Sequence, residues 1–244
     1  MAADAPSDAR FSATHWSVIV EAKGSGSAAE EALAQLCQKY WYPIYAFLRR
    51  KPNTPHDAED LTQGFFEHLL ARDWLAQVTP DAGGKFRTFL LACLDNFVRN
   101  RHRDANARKR TPDGQPLISF DAQEADDRFR LEPIGGPEPA LLYEIKWAET
   151  LIQNALQRLK EECATEDKAE LFEALRPHLT GDAARGDNTE TARALGMEPG
   201  AVRTATSRLR GRFREHFRAE VAATVHAPHE IDQEIRHLLT LWSR

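Results

Sequence analysis

The sequence predicts an all-α protein in which an acidic linker joins two helical domains, and three observations carry this prediction. Apolar residues recur every three or four positions over most of the chain, as on the buried face of a helix. No segment alternates apolar and polar residues in the way that a half-buried β-strand requires. Between the two helical stretches, at 111–139, the periodicity fails and seven acids stand against two Arg, with five Pro and three Gly.

Length and composition fit this division. We expect a first domain at 11–110, the linker at 111–139, a second domain at 140–223 and a C-terminal amphipathic helix at 224–244. The length of 244 residues and the hydrophobic share of 42% suit soluble domains that each bury a core. No apolar run approaches the roughly 18 residues of a membrane span, and the first ten residues lack a signal-peptide core. The three isolated cysteines, at positions 37, 93 and 163, are expected to be reduced thiols in the cytoplasm.

In the first domain, a short helix is expected within 11–20 and a long one from Ala28 to Arg50. The next helix is predicted to begin after Thr54, whose hydroxyl suits the N-cap, with Pro55 at the first helical position. Acids follow in its first turn, where the positive end of the helix dipole favours them. The side of this helix that faces the core is expected to carry Leu61, Phe65, Phe66 and Leu69.

A strongly amphipathic helix, FRTFLLACLDNFVRNRHR at 86–103, is predicted to complete the first domain. Between Lys85 and Arg110, eight Lys or Arg stand against two Asp, although the whole chain has a net charge of −5. This helix therefore lies in the first of two basic clusters. Polar residues that recur at three- and four-residue spacing form one stripe on it, made of Asn96, Arg99, Asn100 and Arg103.

The second domain is predicted to contain two amphipathic helices and then a helix-turn-helix that begins at Asn188. Ala192 is small where the first helix of that motif must let the second approach closely. Gly196 permits the positive φ that the turn needs, and Val202 is the apolar residue that holds the second helix against the first. This spacing of a small residue, a Gly and a β-branched residue predicts two crossed helices with a short turn.

The second helix of the motif has an apolar face and a basic face. Six Arg stand against one Glu from Arg203 to Arg218. A helix with Arg on its outer face can enter the major groove of DNA and bind phosphates and guanine edges. The residues expected to face the core are Val202, Ala205, Leu209 and Phe213. The candidate DNA-contacting residues are Arg203, Thr204, Ser207, Arg208 and Arg210.

The C-terminal segment is predicted to end in one more amphipathic helix. Its apolar stripe is expected to consist of Ile231, Ile235, Leu238, Leu239 and Trp242. Such a stripe favours burial, because each large apolar side chain gains roughly 1.5–3 kcal/mol when it leaves water. We expect the helix to close the core of the second domain; the alternatives are docking across the domains or over the recognition helix, and binding of a partner.

Three motifs, in their order and separation, resemble those of bacterial RNA polymerase sigma factors of the extracytoplasmic-function (ECF) group. DAEDLTQGFF at 57–66 looks like the polymerase-binding helix of that family, and the segment at 86–103 looks like its promoter −10 helix. GMEPGAVRTATSRLRGRFRE at 196–215 looks like its −35 recognition helix with the preceding turn. The resemblance covers 30–110 and 140–218, and departs from the family pattern at Gly64, where an acid is usual, and at Phe89, where Trp is usual.

The resemblance implies a role for each group of residues. A sigma factor performs no bond chemistry, so the resemblance implies no catalytic residue, cofactor or metal. The partners that it implies are core RNA polymerase and promoter DNA. An anti-sigma factor or a regulatory kinase is a further partner that the resemblance leaves open. Polymerase binding falls to Asp57, Glu59, Asp60 and Gln63. The residues implied to contact the −10 element are Asn96, Arg99, Asn100 and Arg103, and those implied to bind backbone phosphates are Lys85 and Arg87. The loop at 73–85 is implied to receive a base flipped out of the non-template strand.

Two other functions fit parts of the pattern. A helix-turn-helix repressor or activator that acts without core polymerase would use the second domain alone on DNA and the first for dimerisation or ligand sensing. A nuclease would use Asp57, Glu59 and Asp60 on a metal ion, but three carboxylates on one helix do not converge on a metal without ligands from elsewhere. The acidic linker and the helix at 57–66 argue against the repressor or activator, and no second acidic cluster stands at a matching place to supply a nuclease with further ligands.

Overall fold

The computed structural model describes residues 27–70, 85–105, 122–180 and 188–241. Every regular element in these ranges is helical, which confirms the all-α class for the described part of the chain. The helix expected within 11–20 and the loop at 73–84 lie outside it. The helices are α1 Ser27–Arg50, α2 Pro55–Leu70, α3 Phe86–Ala105, α4 Ala122–Arg130, α5 Pro139–Thr165, α6 Ala169–Thr180, α7 Asn188–Ala194, α8 Pro199–Ala222 and α9 Ile231–Leu241, with a 3-10 turn at Pro228–Glu230.

The chain divides into two compact units, and the division falls inside helix α5. The first unit ends at Ala148 and takes up the chain again from Ala222, so it includes α9; the second unit is Glu149–Val221. This differs from the expected domain boundary near residue 140. The apolar spacing of α5 runs through the division without a change, so the sequence carries no sign that the burial partners of the helix change there.

The core of the first unit is rich in aromatic side chains. The Trp147 indole N–H donates to the Tyr40 hydroxyl at 3.2 Å, and the Tyr143 hydroxyl donates to the Arg87 carbonyl at 3.2 Å. The Tyr40 and Phe86 rings meet edge to face at 5.3 Å. Burial raises the pKa of both tyrosines, so the phenols stay neutral. These contacts draw the first turns of α5 into the first unit.

The linker contains a helix that the sequence analysis did not predict. In α4, the Asp126 side chain is 9% exposed and accepts hydrogen bonds from Arg49 Nε at 3.0 Å and from the Tyr45 hydroxyl at 3.3 Å. The Arg49 guanidinium also lies 4.9 Å from the Phe129 ring. A nine-residue segment is too short to show a reliable period, and its anchors lie on α1, far away in sequence.

The second unit packs α5 to α8 around one apolar cluster. All four residues predicted for the inner face of α8 belong to it or pack against it, Val202 and Leu209 buried and Ala205 and Phe213 partly so. The other buried members come from each helix in turn: Leu159, Cys163, Phe172, Leu175 and Ala192.

Candidate protein and nucleic-acid interfaces

The turn at Gly196 follows the hydrogen-bond pattern of a glycine-terminated helix. Gly196 has φ 62°, and the Met197 and Gly196 N–H groups donate to the Ala192 and Arg193 carbonyls at 2.9 and 3.3 Å. Ala192 is 3% exposed and Val202 is fully buried. The spacing that predicted the helix-turn-helix is therefore confirmed at the small residue, the turn Gly and the β-branched residue.

The outer face of α8 carries Arg203, Thr204, Ser207 and Arg208, all exposed. Their spacing places them on one stripe of the helix. Among the residues that the structure describes, none forms an ion pair or a hydrogen bond with the guanidinium of Arg203 or Arg208. The Thr204 hydroxyl donates to the Gly200 carbonyl at 3.1 Å. This stripe thus presents two unpaired cations that match phosphate oxygens and guanine edges in geometry.

Two further arginines of α8, Arg210 and Arg212, bind other residues of the second unit. Arg210 Nη2 donates to the His178 carbonyl at 2.8 Å, which ties α8 to α6. Arg212 Nη2 lies 2.8 Å from carboxylate oxygens of both Glu162 and Glu166. Arg210, a predicted DNA contact, therefore has a structural partner that the sequence did not indicate. The basic run is only partly available to a ligand.

The Glu162 carboxylate contacts two basic side chains of α8, Arg212 and His216. Hydrogen bonds from Arg212 and then from His216, whose Nε2 lies at 2.7 Å, hold the pKa of Glu162 below its usual value. The same contact with Glu162 raises the pKa of Arg212. These groups lie near the surface, so solvent screens the pairs and each stabilises the unit only modestly.

The acidic start of α2 combines a cap with an exposed face. Thr54 is the N-cap, as predicted: its hydroxyl accepts the Asp57 N–H at 3.1 Å and donates to the Asp57 carboxylate at 2.6 Å. These bonds to Thr54 lower the pKa of Asp57. Asp60 is exposed, with His56 Nε2 3.8 Å away, while Glu59 and Gln63 are half-buried. Of the four residues expected to bind a basic partner, Asp57 and Asp60 are exposed, and Asp57 already takes part in the hydrogen bonds with Thr54.

The opposite side of α2 packs into the first unit. Phe65, Phe66 and Leu69 are buried as predicted, but Leu61 is only half-buried. Ala58 and Thr62, which the sequence analysis passed over, are fully buried, and the Thr62 hydroxyl donates to the Ala58 carbonyl at 2.6 Å. A small residue, and a Thr whose hydroxyl is hydrogen-bonded within its own helix, allow close packing here. Neither residue contributes to the apolar pattern of the sequence.

Gly64 is buried and lies against side chains of α3. A β-carbon at Gly64 would lie 2.8 Å from Arg101 Nη2 and 3.6 Å from the Phe97 ring. Arg101 uses that space to stack over Phe97, 5.3 Å from the ring centroid. The two helices leave an open cleft of about 340 Å³ beside this stack, lined by Gly64, Glu67, His68, Phe97, Asn100 and Arg101.

The polar stripe of α3 is exposed where the structure describes it. Asn96, Arg99 and Asn100 all lie on the surface of the helix, and Asn100 also borders the cleft. The side chain of Arg103 lies outside the described residues. The three exposed groups supply amide and guanidinium donors along one side of the helix, which suits contact with base edges and phosphates.

Lys85 and Arg87, which the sequence analysis placed on backbone phosphates, are instead held by the C-terminal helix. The Arg87 side chain is 4% exposed and forms an ion pair with Glu234, whose side chain is fully buried. Glu234 Oε2 also lies 2.5 Å from Lys85 Nζ, a charge contact without hydrogen-bond geometry. Burial lowers the pKa of both Lys85 and Arg87. Arg87 therefore lacks the exposure that a phosphate contact requires.

The buried face of α9 differs from the predicted stripe. Ile231 and Leu238 are buried as expected, but Ile235 is half-buried, Leu239 is 56% exposed and Trp242 lies outside the described residues. The residues that share the buried face are Ile231, Glu234, Leu238 and Leu241. The expectation that α9 closes the second domain is also wrong, because the helix belongs to the first unit.

Glu234 is the residue that sequence reasoning missed. It was counted as polar and therefore left out of the apolar stripe, although it lies three residues after Ile231 and four before Leu238. The only sequence signal was that position, on the inner face of an otherwise apolar set. Its meaning depended on two cations that precede it by well over a hundred residues.

Two further findings concern the described residues alone. No three His, Cys, Asp or Glu side chains there come together as a metal-binding group. None of the helices there is both long enough and apolar enough to cross a bilayer. Comparison of the chain with protein-family models, curated proteins and solved structures finds no match.

Proposed function

We propose that this chain is a sigma factor, which binds core RNA polymerase and directs it to promoters through their −10 and −35 elements. The observation that carries the proposal is the presence of one exposed polar stripe in each unit. Asn96, Arg99 and Asn100 form the stripe on α3, and Arg203 and Arg208 are its charged counterparts on α8. A protein that reads two separate DNA elements requires two such faces, whereas a helix-turn-helix regulator requires only the one on α8.

The acidic face of α2 supports a protein partner in the same unit as the α3 stripe. Asp60 is exposed, and Glu59 and Gln63 accompany it along the helix. Carboxylates in this arrangement suit a basic surface, and in the family that this chain resembles the partner surface is a coiled coil of the polymerase. The unit would then hold polymerase on one helix and promoter DNA on another.

The mechanism requires binding and no bond chemistry. The α8 stripe docks in the major groove of the upstream element, where a forked guanidinium recognises guanine and others bind phosphates. The α3 stripe contacts the downstream element as its strands separate, with amide groups on exposed bases and guanidinium groups on the backbone. The cytoplasm is the expected location, because polymerase and promoters are found there.

The first experiment is co-purification of the full chain with core RNA polymerase, followed by transcription from a promoter library. Asp60→Lys is the informative variant, because Asp57 also caps α2 and its replacement would weaken the helix. Close charge pairs at interfaces are worth about 2–5 kcal/mol, so core affinity should fall roughly 30-fold or more. Glu161→Lys is the control, since Glu161 is exposed on α5 in the other unit and carries the same charge.

Two outcomes would contradict the proposal. If a folded Asp60→Lys variant keeps full affinity for core polymerase, α2 is not the polymerase-binding helix. If the native chain binds duplex DNA but never binds core polymerase, the function is that of a helix-turn-helix repressor or activator. In that case the bound site should be palindromic and the protein dimeric.

A further inference from the structure

The helix that presents the α3 stripe is held at its start by the far end of the chain. Arg87 lies in the first turn of α3, and its guanidinium pairs with Glu234 of α9. The Glu234 side chain is fully buried, and its second oxygen is 2.5 Å from Lys85, the residue just before the helix. A single carboxylate thus binds two cations at the start of α3.

The surroundings of Arg87 leave it little freedom. Its guanidinium lies 4.6 Å from the Trp147 ring centroid, and its Nε is 3.8 Å from the Glu144 carboxylate. The Tyr143 hydroxyl binds its main-chain carbonyl. His237, one turn after Glu234, belongs to the same cluster, because its Nε2 lies 3.2 Å from the carboxylate of Glu144. Side chain and backbone of Arg87 are therefore both fixed, one of them by α9.

Arg87 and the polar stripe of α3 lie on different sides of the helix, so the contact between Arg87 and Glu234 anchors α3 from the side away from the stripe. At 3.6 residues per turn, Asn96 and Arg99 lie roughly 180° and 120° around the helix from Arg87. The anchor and the polar stripe thus occupy opposite sides of one rigid rod. A rotation or shift of α3 at Arg87 is carried to the stripe, because a helix moves as a unit over this length.

We infer that Glu234 is a positioning residue for DNA binding: through Arg87 and Lys85 it sets the rotation of α3 and so the direction of the Asn96–Arg99–Asn100 stripe. This rests on the proposed function and deepens it, because it makes the C-terminal helix part of the −10-contacting unit. The −35-contacting helix α8 lies in the other unit and does not depend on Glu234.

The test uses the full chain with Glu234→Gln and three measurements. Opening of a promoter by the holoenzyme should fall at least about tenfold, because the stripe is misdirected. Binding of the free protein to duplex −35 DNA and its affinity for core polymerase should each change less than about twofold. Hydrogen exchange should rise in the amides of α3 and α9 and stay unchanged in α7 and α8.

Two controls separate positioning from general stability. Glu220→Gln removes a buried carboxylate of the second unit, 2% exposed and 2.8 Å from Arg158, and should leave exchange in α3 unchanged. Asp232→Asn removes the same charge from an exposed position of α9 and should leave promoter opening unchanged. Glu234→Asp, which keeps the charge, should recover part of the opening activity.

Several results would overturn the inference. One is normal promoter opening by folded Glu234→Gln, and another is an equal loss of −35 binding. If that variant does not fold, His237→Asn loosens the same group at its half-exposed edge, and it should show a smaller loss in the same direction. No change of α3 exchange or of opening in His237→Asn would also reject the role. Failure of the native chain to bind core polymerase would instead reject the proposed function, since the exchange measurement does not depend on polymerase.

Discussion

Helices α3 and α8 look alike as sequences, since each is amphipathic and lies in a basic cluster, but their cations have different fates. On α8, Arg203 and Arg208 are exposed and unpaired among the described residues. At the start of α3, Arg87 is buried, and Lys85 shares with it the carboxylate of Glu234. A run of positive charge in a sequence therefore gives an upper limit to the charge that a ligand can meet.

The side of the helix on which each cation lies decides the outcome. Arg212 of α8 is paired, as Arg87 is, and its partners are Glu162 and Glu166, but its side chain is 23% exposed whereas that of Arg87 is 4% exposed. An inward cation is stable only with a carboxylate partner, since leaving it unpaired in the interior costs several kcal/mol. The first unit supplies such a carboxylate to Arg87 from another helix, Glu234, whereas the partners of Arg212 lie near the surface, where solvent screens the pairs.

Replacing the buried Arg87 by Met is expected to destabilise the protein more than any other substitution proposed here. The substitution leaves Glu234 buried with only Lys85 beside it, and loss of one partner of a buried pair costs about 3–5 kcal/mol. Chemical unfolding monitored separately in each unit should show the loss in the first unit only. The double variant Arg87→Met with Glu234→Met should recover most of the stability, because an apolar pair needs no charge partner. Equal stability of Arg87→Met and native protein would show that the pair is not buried as described.

The exposed arginines of α8 are expected to have a smaller effect, on DNA binding instead of stability. Arg203→Ala and Arg208→Ala should each weaken binding to upstream promoter DNA, by about 1–3 kcal/mol if the residue reads a base. A phosphate contact should instead reduce the slope of log affinity against log salt by about one. Arg212→Ala is the control from the same helix. It should lower the stability of the second unit, but it should change the salt dependence of DNA binding by less than the loss of a phosphate contact does. If neither outer variant changes affinity or slope, the recognition face lies elsewhere.

The smallest effect concerns backbone conformation within the second unit. Gly196→Ala should destabilise this unit by about 1–2 kcal/mol, because φ is 62° there and a side chain disfavours that region. Gly211→Ala should have the opposite sign and stabilise the unit by up to about 1 kcal/mol, since Gly211 lies in the interior of α8. A β-carbon has open space at both positions, so contacts do not confuse the measurement. Thermal unfolding checks both, and a stabilised Gly196→Ala would reject the turn geometry.

Features that depend on residues close together in the chain could be predicted from the amino-acid sequence alone. The cap formed by Thr54, the turn at Gly196 and the inner face of α8 each rest on residues within a few turns of one another. Helix periodicity and capping are local, so their signals survive in a single chain. The exposed stripes of α3 and α8 followed from the same periodicity, because the side opposite an apolar stripe faces water.

The packing of segments that are distant in sequence could not be predicted from the chain and became known from the three-dimensional structure. Asp126 meets Arg49 across 77 residues and Glu234 meets Arg87 across 147, and these contacts placed α4 and α9 in the first unit. An apolar stripe states that a helix will be buried but not against what, since the hydrophobic effect has no direction. A charged residue on such a stripe likewise does not indicate whether it will be buried or paired until its partner is known. The place of the C-terminal helix and the fate of Arg87 therefore had to come from three-dimensional packing.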